Sequence, residues 1–127
     1  MPLTLRKIKQ ILDAKVLFGE NMLDKEVYSA CGSDLMSDVL VFVKERTLLL
    51  TGLTNLHVIR TAELLDVSAI VFVRGKYPTQ DIVDMAMERS IVLLSTDDTL
   101  FTACGKLYQA GLPGEESKIG CPNRKLP

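Results

Sequence analysis

The sequence predicts an α/β fold, a single compact domain with a mainly parallel β-sheet flanked by helices, and three observations carry that prediction. The apolar runs Thr47–Thr51, Ala69–Val73 and Ile91–Leu94 are each too short for a helix and rich in residues that favour strands. Apolar throughout, they fit strands covered on both faces, as in parallel sheets. Each run is followed by a polar turn and then an amphipathic helical pattern, giving three strand-turn-helix units at a spacing of about 21 residues. A solenoid would need more repeats with matching side chains, so consecutive βα units in one open sheet explain the pattern better. The right-handed crossover rule then leaves few topologies.

Leu5, Ile8, Ile11 and Leu12 fall on one side at helical spacing, which predicts a first helix over Leu3–Leu12 with Thr4 near its start. Lys15–Phe18 is a short strand closed by Gly19, Asn21–Lys25 a polar turn, and Glu26–Cys31 a further strand stopped at Gly32. Ser33 as N-cap and Asp34 in the first turn predict a second helix to about Val43, with Leu35, Val39, Leu40 and Phe42 inward. Val39–Val43, rich in β-branched residues, also fits a strand. Asn55 opens a helix to Asp66, Thr79–Glu88 a helix with Ile82, Val83, Met85 and Ala86 inward, and Asp97-Asp98 the last one. That helix places Leu100, Phe101, Cys104, Leu107 and Tyr108 on its inner side and ends at Gly111, a C-cap residue. Residues 1–111 thus form the domain, and 112–127, rich in Pro, Gly, Glu, Ser and Lys, form a polar tail expected not to pack.

A chain of 127 residues suffices for one domain with its own core. The formal charge of -1, with Lys and Arg scattered, argues against nucleic acid as a partner. The amino terminus has basic residues within its apolar pattern, unlike a signal peptide, and no run reaches the length of a membrane span. A cytoplasmic location is the expectation. Cys31, Cys104 and Cys121 have neither disulfide nor zinc spacing, and reduced thiols fit that compartment.

In an open parallel sheet, ligands collect where strand ends and helix N-termini converge. That edge carries Thr51, Gly52, Thr54 and Asn55 from one unit, Arg74, Gly75 and Lys76 from the next, and Ser95, Thr96, Asp97 and Asp98 from the third. Arg74 and Lys76 beside helix N-termini suit a phosphate or carboxylate. The same residues also serve plain structural ends, with hydroxyls and Asn55 as caps, glycines in tight turns and cations in solvent. Thr51-Gly52-x-x-Asn55 is neither a phosphate-binding P-loop nor a dinucleotide fingerprint. His57, the single histidine, lacks an acidic or thiol neighbour at helical spacing, so packing or surface duty fits it better than base catalysis. Asp97-Asp98 suits a metal, but the helix dipole accounts for acidic residues in a first turn. Cys31 and Cys104 sit in apolar patterns as core residues. Cys121 is the thiol expected to react through exposure.

The succession AKVLFGENMLD, SDLMSDVLVF, LLLTGLTN and IVFVRGKYPTQDIVDMAMERSIVLLSTDDTLFTACGKL resembles a DRTGG domain from Ile11 to Gly111. The literal Asp-Arg-Thr-Gly-Gly string is absent, and Arg74-Gly75-Lys76 stands where many relatives have a Thr-Gly-Gly type turn. The resemblance implies a fold similar to the amino-terminal domain of HPr kinase/phosphorylase, no catalytic residues or cofactor of its own, and assembly as a dimer or larger oligomer. It also implies a regulatory role, with some stand-alone members, found in anaerobic bacteria, accompanying iron-only hydrogenase genes and hence a protein partner. Three functional expectations follow: a sensor of a small anionic metabolite such as an adenine nucleotide or acyl phosphate, an interaction or oligomerisation module without ligand, and an enzyme at the Arg74/Asp97 edge. The first leads, without enzymatic activity.

Overall fold

A computed structural model describes residues 2–42 and 46–114. In chain order the elements are β1 (Leu3–Thr4), α1 (Leu5–Leu12), β2 (Lys15–Phe18), a 3-10 turn (Glu20–Met22), β3 (Glu26–Val27), β4 (Ser29–Gly32) and α2 (Met36–Phe42). They continue with β5 (Thr47–Thr51), α3 (Leu56–Leu64), β6 (Ala69–Phe72), α4 (Gln80–Glu88), β7 (Val92–Ser95) and α5 (Leu100–Gln109). The central sheet has five strands in the order β2-β7-β6-β5-β4. β4, β5, β6 and β7 are parallel, and β2 joins β7 antiparallel as the edge strand.

Because β4 to β7 are laid down one beside the next, right-handed crossovers in a constant direction put α2, α3 and α4 on one face. Val39, Val58, Ile59, Ala62, Ile82 and Ala86 from those helices pack on Leu49, Ile70, Phe72 and Leu93 of the sheet. Alternate strand residues, Leu48, Leu50, Val71 and Leu94, point to the other face and meet Leu5, Ile8 and Leu12 of α1 with Ala103 and Leu107 of α5. The result is three layers, with strands β5, β6 and β7 buried along their whole length. This is the predicted α/β sheet, extended by a fourth unit, β4-α2, in the same frame.

Several local expectations are corrected. Leu3 is not helical: it pairs with Val27 in a separate two-stranded ribbon of β1 and β3. Glu26–Cys31 is therefore two strands in two sheets, parted at the exposed Tyr28. The second helix begins at Met36, because the Ser33 hydroxyl accepts from Leu35 N at 3.0 Å in a local turn instead of capping the helix. Of its expected inward residues Val39 is buried, whereas Leu35 and Leu40 are exposed, since α2 lies at the sheet's margin where only one stripe finds cover. The side chain of Phe42, and Val43, lie outside the described residues.

On α5, Ala103 takes the inward place expected of Phe101 and Tyr108, both of which face solvent. Gly111, with φ of 103°, follows the helix as its left-handed stop. Gly111 N then donates to Tyr108 O at 3.0 Å and Leu112 N to Leu107 O at 3.1 Å. That closure turns Leu112 back onto the core, so it is buried, and Ala30 N donates to Pro113 O at 3.0 Å on the outer side of β4. Packing thus continues past residue 111 through this apolar anchor. The rest of the expected tail, with Cys121, lies outside the described residues.

Candidate functional site

At the carboxyl edge of the sheet, β6 leads to α4 on one face and β7 leads to α5 on the other. Such a divergence opens a crevice in doubly wound sheets. Here the two turns bridge it with their own backbone: Arg74 N donates to Asp98 O at 2.8 Å and Gly75 N to Thr96 O at 2.9 Å. The Ser95 hydroxyl adds a bond to Lys76 O at 3.0 Å.

The first of these turns is unusual in its sequence. Lys76 N donates to Val73 O at 3.2 Å, and the residues between, Arg74 and Gly75, have φ of 60° and 67°. Two consecutive positive φ values define a turn of the I′ kind, which favours Asn, Asp or Gly at both places. Gly75 meets that demand; Arg74 adopts it at a steric cost of about 1–2 kcal/mol.

The neighbouring β5–α3 turn is organised by a residue outside the expected site. Asp34 Oδ1 accepts from Gly52 N at 2.7 Å and from the Thr51 hydroxyl at 3.0 Å. Asp34 therefore serves this turn and not the dipole of α2, a role no local spacing reveals because the partners are 17 and 18 residues away. Across Gly52 lies the Arg74 guanidinium: a β-carbon at residue 52 would stand 2.7 Å from its terminal nitrogen. On the other side, a β-carbon at Gly75 would stand 3.1 Å from Asp97 Oδ1. The structure thus brings Gly52, Arg74, Gly75 and Asp97 together in one row.

Most of the polar side chains expected at this edge are engaged internally. Thr51 bonds Asp34 and receives Leu53 N at 3.2 Å, Asn55 caps α3 by accepting from His57 N at 3.1 Å, and Thr96 donates to Leu12 O at 2.8 Å. Thr54 is half-buried in the turn. Asp97 and Asp98 precede α5, whose cap is Thr99, so they are not first-turn residues; Asp98 pairs with Lys106 at 2.8 Å. Arg74 and Lys76 are exposed and make no side-chain hydrogen bond or ion pair among the described residues. Asp97 is equally unengaged and exposed. The start of α4 just beyond has no side-chain cap, since the Thr79 hydroxyl turns instead to the Asp81 carboxylate. That bond holds the Asp81 carboxyl below its ordinary range.

Among the described residues the edge therefore offers two exposed cations and one exposed carboxylate without side-chain partners, near the start of α4, which no side chain caps. His57 is exposed on α3. Cys104 is half-buried, and burial pushes its thiol up in pKa. Among the described residues no group of three His, Cys, Asp or Glu side chains is placed to hold a metal ion, and no helix is long and apolar enough to cross a membrane.

No protein-family model and no curated protein matches the sequence. The fold is similar to a solved structure, the CBS and DRTGG domains of the regulatory region of Clostridium perfringens pyrophosphatase complexed with its activator, diadenosine tetraphosphate. The TM-score is 0.67 at 19% identity, covering 91% of this chain and 51% of that one. The likeness is one of fold, and the chain spans about half the length of that regulatory region.

Proposed function

We propose that this domain is a non-catalytic, ligand-sensing regulatory module that binds a small anionic metabolite, of the nucleotide or acyl phosphate kind, and acts through a protein partner. The observation that carries the reading is Arg74, held in a left-handed turn against its steric preference with an unpaired guanidinium laid over Gly52. Backbone strain of this sort concentrates at ligand sites, and an exposed guanidinium and an exposed ammonium two residues apart suit an anion. The fold's likeness to a regulatory region that binds a nucleotide activator supports the same class. Assembly as a homodimer belongs to this reading, on the apolar content of 47% in a chain of 127 residues.

The test is a thermal-shift screen over nucleotides, phosphates and organic acids, in which a ligand at 100 times its dissociation constant raises stability by about 2.7 kcal/mol. Calorimetric titration of the strongest stabiliser into wild type and the Arg74→Ala/Lys76→Ala variant, at two salt concentrations, then locates the site. Equal affinities in the two proteins remove this edge from consideration. If no anion binds wild type at millimolar concentration, a ligand-free interaction module is the reading to keep, which the exposed aromatic side chains of α5 favour.

A further inference from the structure

The turns that follow β4, β5 and β6 stand side by side at the carboxyl edge of the sheet, because Gly32 pairs with Leu50 and Thr51 with Phe72. Asp34, two residues past Gly32 in the first of these turns, therefore reaches the second. Its carboxylate accepts from Gly52 N at 2.7 Å and from the Thr51 hydroxyl at 3.0 Å. Both donor residues are buried. Thr51 is bonded on its other sides as well, its hydroxyl accepting from Leu53 N at 3.2 Å and its carbonyl from Val73 N at 3.0 Å. One carboxylate thus fixes a turn that is tied directly to the residue before Arg74.

The Arg74 guanidinium has no hydrogen-bond or ion-pair partner among the described residues, so contact decides where it stands. Its Nη2, Cζ and Nε lie 2.7, 3.4 and 3.5 Å from the place a β-carbon on residue 52 would take. The group fills the space that a side chain there would need, over a peptide whose N–H Asp34 holds. Asp34 and Arg74 are not themselves an ion pair, and Asp34 acts on the guanidinium through Gly52.

We infer that Asp34 is the positioning residue of the proposed anion site: by fixing the Gly52 turn it sets where Arg74 stands, and with it the affinity for phosphate-bearing ligands, without touching the ligand. The inference rests on the anion-binding reading of this edge. The turn requires an acceptor at residue 34 and not its charge, which opposes an incoming anion.

The test is calorimetric titration of ATP and of inorganic phosphate into the full chain, comparing wild type, Asp34→Asn, Asp34→Ala and Arg74→Ala where circular dichroism shows each folded. Asp34→Asn keeps an oxygen for Gly52 N, so its affinity should equal or exceed that of wild type. Asp34→Ala releases the turn and is expected to bind about tenfold more weakly. Should it not fold, Thr51→Val, which removes one of the two donors, is expected to weaken binding in the same direction. A purely structural Asp34 would lower the melting temperature of Asp34→Ala and leave the affinity of the folded protein unchanged, which overturns the inference. Equal weakening in Asp34→Asn and Asp34→Ala assigns the effect to charge and overturns it too, as does a gain in both, which makes the carboxylate a competitor of the anion. Failure of the underlying reading looks different: wild type binds neither probe, or Arg74→Ala binds as tightly as wild type, and the inference falls with it.

Discussion

The guanidinium of Arg74 lies over Gly52, one strand away, so closely that a β-carbon on residue 52 would be 2.7 Å from its terminal nitrogen. Gly52→Ala therefore displaces Arg74 without altering any charge. The obstructing atom is the far end of a flexible side chain, so stability should change by less than about 0.5 kcal/mol. Affinity for the anion that the screen selects should fall about tenfold, read by calorimetry. Unchanged affinity means that Arg74 binds from a different position or not at all.

Arg74 itself should be improvable in the empty protein. Asn adopts positive φ more readily than Arg, so Arg74→Asn is expected to raise stability by up to about 1 kcal/mol, seen as a rise of a few degrees in melting temperature. The same variant should lose the anion-induced shift. A gain in stability together with retained binding would separate strain from function.

Asp34 makes a different prediction. In Asp34→Ala the Gly52 N–H and the Thr51 hydroxyl lose the carboxylate they share. Leaving such part-buried donors unpaired costs about 1–3 kcal/mol, so chemical denaturation should show a lower midpoint. A loss below about 0.5 kcal/mol would mean that water replaces the carboxylate.

Leu112, 2% exposed, should matter as a core residue does. Leu112→Ala is expected to cost about 2–3 kcal/mol. A chain ending at Gly114 keeps this side chain and the bond from Ala30 N to Pro113 O, whereas one ending at Gly111 loses both. Equal melting temperatures for the two truncated chains would refute the anchor.

Burial raises the Cys104 thiol above its ordinary pKa. Below the unfolded value, about 8.5, the thiol is neutral in both states and its contribution to stability is complete. As pH rises from there toward the higher folded value, only the unfolded thiol ionises, and that contribution is lost. Alkylation of Cys104, followed by mass spectrometry on the native protein, should accordingly be slow at neutral pH and slower than for the same thiol in denaturant. Equal rates would place the sulfur in solvent.

The sequence by itself determined what depends on local pattern. The buried runs Thr47–Thr51 and Ala69–Val73 marked central strands because a strand apolar on both sides needs cover on both. Asn55 and Gly111 marked helix ends because each satisfies its own terminus, and the cations of the Arg74 turn were visible as residues. Only the tertiary structure decided which groups meet. Lys15–Phe18 is a strand by pattern, but its antiparallel place beside β7 is fixed by where α1 delivers it. Asp34 looked like a first-turn partner of the α2 dipole, but its carboxylate accepts from Gly52 N, 18 residues on. Phe101 and Tyr108 looked inward because apolar residues at helical spacing mark a face, yet periodicity does not say which of two apolar faces the sheet will cover. Positive φ at Arg74 was hidden too, because a turn's handedness follows from the elements it joins, and an arginine there gives no local sign of it.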